Sequence, residues 1–303
     1  MAEIILHQFE RSPFSEKVRA ALGIKNAAWR AVEIPRMMPK PDLMPLTGGY
    51  RKTPVMQIGA DIYCDTRLII REIDRRIPDP PLYPAGGAEL AAAWMDGPLF
   101  TISVGVVFGS LADKLPPEFK EERARFTAGL FDAERMKAAQ PTIRAQWRAY
   151  LSMLESGLAD GRPYLFGDMP SIADLASYHL VWFIGLNLPD SGLLAGAPKV
   201  EAWSGRIARF GHGKKTSLDA KEALAVAKSA TPAPVKSGAP NADASGCRPG
   251  QRVTVAANDY GRDPVLGELI AIDDDAVVIR RGTPDLGDLH VHFPRTGFDV
   301  SPA

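Results

Sequence analysis

The chain has 303 residues, enough for two or three domains and a substantial core. Its 36 lysines and arginines balance its 36 aspartates and glutamates, which argues against a phosphate-driven nucleic-acid binder as its main role. The two cysteines, Cys64 and Cys247, fit neither a disulfide framework nor a CxxC metal pattern, which favours a reducing compartment over a secreted fate.

The chain opens on a strand pattern with no basic leader before an apolar run, so no signal peptide is expected. Residues 3–80 then alternate in type. Strand EIILHQF, helix FSEKVRAALGI and strand WRAVEI are followed by a Pro-rich stretch, the short runs PVMQI and DIYC about a Gly59-Ala60-Asp61 turn, and helix TRLIIREIDRRI. Interleaving of this kind predicts an α/β layer domain over residues 1–80. From 88 to 228 the strand pattern vanishes and helical spacing recurs, as in Trp147, Leu151, Leu154 and Leu158, which predicts an all-helical domain. Its most apolar run, LASYHLVWFIGLNL from Leu175, is about 14 residues against the roughly 20 a bilayer requires, so no membrane partner is expected.

Residues 229–246 are rich in Ala, Pro, Ser and Gly and read as a linker. Beyond them RVTVAA, LGELIAI, AVVIRR and LHVHF are short β-rich runs, the pattern of a small antiparallel β-barrel-like domain over 247–303. Six arginines against nine acidic residues leave it at about −3, unsuited to nucleic acid. With under 60 residues its own core is marginal, so it is expected to lean on the body of the protein. DYGRDP (Tyr260, Arg262, Asp263) and HFPRTGF (Phe293, Arg295, Phe298) combine aromatics with arginine, the types that anchor interfaces, and predict a contact surface that takes no part in the chemistry. Ordinary turn residues are the plainer reading.

Three junctions carry candidate chemistry. RSPFSEKVR places Ser12-Pro13 where a strand gives way to a helix and backbone N–H groups point outward; a cysteine at 12 would make this a thiol redox site. In KTPVMQI, Pro54 cannot donate to a ladder, so it marks interrupted pairing; a cis Thr53-Pro54 bond is one way to arrange this, and a plain turn proline is the other. The next residue, Val55, would then offer its backbone to an extended peptide. In YCDTRLII the helix begins at Asp65-Thr66, either a simple N-cap or an anion site with an acidic acceptor for an ammonium.

In this order and spacing, and with PSIADLASYHL as a capping box of Ser171 and Asp174, the three stretches resemble the cytosolic glutathione transferase superfamily over about residues 3–210. The resemblance implies a thioredoxin-like domain followed by a helical domain. It also implies glutathione as co-substrate, an apolar electrophile, a homodimer and a cytoplasmic, bacterial-type detoxification enzyme. Ser12 stands where omega-like members, with a CPF motif, carry cysteine and zeta-like members, with an SSC motif, carry serine. Val55 stands where the backbone pairs with the cysteinyl part of glutathione. Asp65 and Thr66, in place of the commoner Glu-Ser, stand where the γ-glutamyl end is held, and Lys52 is near a basic residue that helps with the glycyl carboxylate.

A serine hydroxyl at a helix mouth stabilises a thiolate through a hydrogen bond and the helix's positive end, which suits conjugation rather than thiol exchange. Ser15 is the rival to Ser12. A non-catalytic scaffold whose β domain recruits a protein partner is the alternative to an enzyme, and a glutathione-dependent reductase lacks its cysteine. Trp94, Phe100 and Phe108 lie where the family lines its electrophile pocket, or are core. GHGKK (211–215) reads as a solvated turn. His290 and His292 share one strand face and could give two metal ligands, but with no third apparent they read as surface histidines.

Overall fold

The computed structural model describes residues 3–84, 86–235 and 244–303. Strand β1 (Ile4–Gln8) leads into helix α1 (Pro13–Ile24) and strand β2 (Ala28–Glu33). Helix α2 (Met44–Thr47), the hairpin of β3 (Val55–Ile58) and β4 (Asp61–Cys64), and helix α3 (Thr66–Arg76) complete the thioredoxin-like layer. Every residue of β1, β3 and β4 is buried, as befits strands covered on both faces. β1 pairs parallel with β2 and antiparallel with β3, and β3 pairs antiparallel with β4. Helix α3 turns Ile69, Ile70 and Ile73 inward at helical spacing and keeps its arginines outside.

Residues 19–27 and 76–213 form a second compact unit, entirely helical. It holds α4 (Ala88–Trp94), α5 (Phe100–Ser110), α6 (Pro117–Phe126), α7 (Ala133–Ala138), α8 (Gln140–Gly157), α9 (Ile172–Asn187) and α10 (Pro198–Ala208). A π-turn, Met95–Leu99, joins α4 to α5 around Pro98, whose missing N–H and bulky ring oppose a regular α-turn there. The continuous helix Ala88–Ser110 spans 23 residues and, among the described residues, is the one helix long and apolar enough to cross a membrane. Half of its apolar window is buried inside the protein, as in a core helix, so the longest apolar element is this one and not the run from Leu175.

The helical segment ends earlier than its sequence pattern suggests. Lys214–Ser217 is a strand, β5, that pairs parallel with β2, and α11 (Ala220–Ser229) follows it. Both belong with the first unit, which takes in the chain up to Val18, Ala28–Arg75 and Lys214–Ala303. GHGKK is therefore not only a turn: its lysines begin β5, where Lys215 pairs with Glu10 and sits over the Trp29 ring. The expected linker lies partly outside the described residues, at 236–243. Within its described part the Ala233 N–H donates to Asp61 Oδ2 at 2.8 Å.

Strands β6 (Arg252–Ala257), β7 (Val265–Ile272), β8 (Ala276–Thr283), β9 (Gly287–Pro294) and β10 (Phe298–Pro302) form an antiparallel array. This array is not set apart from the thioredoxin-like layer. β9 also pairs parallel with β4, giving one ten-stranded sheet in the order β10-β6-β7-β8-β9-β4-β3-β1-β2-β5. One apolar core runs through both parts, from Ile5, Val32, Ile62 and Ala223 to Val253, Leu269, Ile279 and Phe293. Burying such side chains is worth roughly 1.5–3 kcal/mol apiece, and it resolves the difficulty of a 57-residue β array with too little core of its own.

Candidate active site

The strand register brings the three sequence junctions to one end of the sheet. β1 runs toward α1 and ends beside the first residue of β3, where His7 is opposite Val55. Val55 is also opposite Cys64, the last residue of β4 before α3 begins. The start of α1, the start of β3 and the start of α3 therefore lie together. The Thr53-Pro54 bond is cis, and both ladders of β3 end at Val55.

Ser12 is the N-cap of α1. Its N–H donates to Phe9 O, its carbonyl accepts from the Glu16 N–H, and its Oγ accepts from the Ser15 N–H at 3.1 Å, with Pro13 at the first helical position. Capping uses a lone pair of Oγ and leaves the hydroxyl proton available to an outside acceptor. Ser15 is fully buried, and its Oγ has no hydrogen-bond partner.

Asp65 adopts φ 72°, a left-handed conformation that Asp tolerates better than most residues. Its Oδ1 accepts from the Arg67 N–H at 2.9 Å and lies 3.5 Å from Arg67 Nε. Thr66, buried, opens α3, and Lys17 Nζ lies 3.5 Å from its Oγ1. Lys17 is fully buried, an expensive place for an ammonium. Sequence reasoning missed it, although a lysine inside the apolar helix run was the available signal.

Lys52 is engaged by the C-terminal array: Nζ donates to Asp259 Oδ1 and lies 4.3 Å from the centre of the Tyr260 ring. Next to it Arg51 pairs with Asp263 at 2.8 Å. The DYGRDP stretch is thus a contact surface to the thioredoxin-like layer of the same unit, while Phe293 and Phe298 are core, packed on Tyr50 with ring centres 6.0 and 6.1 Å away. Asp259, the first residue of that stretch, thus lies against Lys52, the residue that the family resemblance places near the glycyl carboxylate. Arg281 fastens the same region. Its Nη1 donates to the carbonyls of Pro45 and Leu46, and its guanidinium fills the space where any side chain at Gly48 would project. Gly48 also has φ 74°, a left-handed conformation that favours glycine, while a side chain there would have to displace the Arg281 guanidinium.

Both cysteines are free and buried; burial, with the Asp65 carboxylate adding to it, pushes the Cys64 thiol well above its usual range, which makes it inert. Of the three helical-unit aromatics, Phe100 is buried against Phe131, Phe108 packs edge-on to Phe119, and Trp94 is 44% exposed. In the same unit Ser171 and Asp174 make the expected capping box at the start of α9.

Two family models match the chain: glutathione S-transferase, N-terminal domain, over residues 6–81, and glutathione S-transferase, C-terminal domain, over residues 120–206. A solved structure of a GST-like protein from Pseudomonas syringae is 38% identical, covers 100% of both chains and superposes with a TM-score of 0.83. That match includes the C-terminal array. A tau-class glutathione S-transferase from mango, Mangifera indica, is 18% identical over 68% of this chain and 88% of its own, with a TM-score of 0.52. A glutathione S-transferase from Methylobacterium radiotolerans, solved in complex with glutathione sulfonate, is 21% identical over 68% of this chain and 90% of its own, with a TM-score of 0.50. These last two share the fold. No curated protein matches the sequence.

Proposed function

Because the chain belongs to the glutathione S-transferase superfamily, we propose that it binds glutathione at the shared end of β1, β3 and β4 and transfers its sulfur to an apolar electrophile. The observation that carries this reading is the convergence, through the register of His7, Val55 and Cys64, of two helix N-termini on one free ladder end. Helix N-termini favour anions. In this reading the γ-glutamyl carboxylate sits at α3, held by Thr66 and the field of Lys17, with Asp65 accepting from the ammonium. The cysteinyl backbone pairs with Val55. The thiolate lies at α1, where Ser12 Oγ–H donates to it, and Lys52, shared with Asp259, faces the glycyl end. The enzyme works as a cytoplasmic homodimer.

Calorimetry with glutathione tests the binding half. Asp65→Asn keeps a residue that tolerates positive φ but removes the carboxylate's charge, so affinity should fall by about 1.5–3 kcal/mol, roughly 10- to 150-fold. Absence of binding by the native protein at millimolar glutathione would refute the reading.

Turnover tests the activating half. Ser12→Ala removes a cap worth about 1 kcal/mol to folding, so the diagnostic is the pH profile and not the rate alone. The apparent pKa of bound glutathione should rise, with glutathione affinity changed much less, since losing the hydroxyl weakens only the charged form of the sulfur. An unmoved profile reassigns activation to backbone N–H groups of α1. A protein that binds glutathione but conjugates no electrophile would point instead to a binding role.

A further inference from the structure

Residues far apart in sequence meet where β9 joins β4. His290 and His292 occupy alternate positions on β9, so both rings leave the same face of the strand. The parallel register sets His290 opposite Asp61 and His292 opposite Tyr63. Three potential ligand atoms, one from each of Asp61, His290 and His292, all lie within 4.8 Å of one another. The third ligand that the two histidines lack in the sequence is thus Asp61, supplied by the neighbouring strand.

We infer that Asp61, His290 and His292 form a binding site for one divalent transition-metal ion of the zinc type, with the fourth position left to water, and that the ion clamps β9 onto β4. The donor set is right: two imidazoles and a carboxylate are ligands of zinc and its neighbours, while magnesium and calcium prefer all-oxygen sites. So is the spacing. Bonds of about 2.0–2.2 Å in tetrahedral geometry put ligand atoms roughly 3.3–3.6 Å apart. Asp61 Oδ1 lies 2.8 Å from His292 Nε2 and 3.8 Å from His290 Nδ1, distances that bracket this value.

A hydrogen-bonded cluster without an ion accounts for His292, which is bonded to Asp61, and for the part of the His290 ring bonded to the Ala233 backbone, but not for His290 Nδ1. His290 Nδ1 is buried and has no hydrogen-bond partner, though it faces a carboxylate. An ion at the centre would use that lone pair. Outer contacts fix the ligands, as they do around protein-bound metals. Asp61 Oδ2 accepts from the Ala233 N–H, which turns Oδ1 toward the histidines, and the His292 ring is stacked on Tyr63 with centres 4.4 Å apart. Each histidine side chain retains 12% exposure, a path for ion and water.

The test uses full-length, tag-free protein stripped with EDTA and titrated with zinc chloride by calorimetry. One ion per chain should bind, His290→Gln and Asp61→Asn should each lower affinity at least tenfold, and His212→Gln, outside the cluster, should leave it unchanged. Zinc should raise the melting temperature of the native protein and not of His290→Gln. Cobalt(II) added to the native protein needs no variant: it should give the visible bands of a tetrahedral site, and zinc should abolish them. No saturable one-to-one binding, equal affinity in His290→Gln, or cobalt bands that zinc leaves intact would each overturn the inference.

Discussion

Replacing Asp174 by Ala is expected to destabilise the protein by about 4 kcal/mol, a large share of the 5–15 kcal/mol that holds a typical domain together. Asp174 is fully buried and accepts four hydrogen bonds. Oδ1 receives the Leu165 N–H at 2.9 Å and the Trp203 indole N–H at 2.8 Å; Oδ2 receives the Ser171 N–H at 2.8 Å and the Ser171 hydroxyl at 2.7 Å. The carboxylate therefore ties the start of α9, the preceding loop and the Trp203 side chain of α10 to one point. Alanine would strand those donors away from water, and each buried donor left unpaired costs about 1–3 kcal/mol before relaxation. Asp174→Asn retains one acceptor oxygen and should lose less. Urea unfolding at neutral pH measures both; a loss below about 1 kcal/mol in the alanine variant would show that the four bonds are not acting as a unit.

Acid should weaken the protein through His7. Gln57 Nε2 donates to the carbonyls of Gly59 and Ala223, so its Oε1 must face His7 Nε2, which therefore carries the ring proton. His7 Nδ1 is left bare and buried with no partner. A second proton would create a charged N–H with nowhere to donate. Burial accordingly lowers the His7 pKa from 6.5 to about 4, with the bond to Gln57 and the more distant Asp42 pulling the other way. In the unfolded chain His7 titrates near its ordinary value of about 6.5, so between there and pH 4 the unfolded state binds the extra proton and the folded state does not. Stability from this group is fully present above about pH 6.5, declines as pH falls, and is lost by about pH 4, a total of about 3 kcal/mol. His7→Gln does not titrate, and its amide can still donate to Gln57. The free energy of unfolding in urea, followed from pH 7 to 4, should fall more steeply in the native protein than in this variant. Parallel curves would assign acid sensitivity elsewhere.

The junctions around Ser12, Pro54 and Asp65 were legible because each is written in a few adjacent residues: a cap, a proline, a strand-to-helix transition. The Ser171–Asp174 capping box was legible for the same reason. Long-range pairing was not. Nothing in KKTS marks a strand, since all four residues of β5 are exposed and polar; only the β2 edge beside it makes it one. The union of β9 with β4 joins segments more than 220 positions apart, with no turn or spacing to announce it. Asp61 is invisible as a ligand for that reason, and so is Asp259 as the partner of Lys52. Lys17 was hidden differently, because helical periodicity assigns a lysine to a solvated face unless something polar waits on the buried one.

The order of strands has a consequence for how safely this protein exists in a crowded solution. A sheet of β4-β3-β1-β2 alone would end on two unpaired rows of backbone donors and acceptors, open templates for another chain. Both rows are closed by segments that come after the helical unit, β2 by β5 and β4 by β9. The openness is passed outward to β5 and β10, and each carries its own deterrent: Lys214 and Lys215 on the first, Asp299 and a terminal Pro302 on the second. Charge repels an incoming strand, and proline withholds the N–H it would need. During synthesis, however, the β4 edge waits for about 220 further residues before its own partner emerges. A chain interrupted near Ala230 would keep the junctions at Ser12, Pro54 and Asp65 and expose β4 permanently, so its first failing would be self-association, ahead of any change at those junctions.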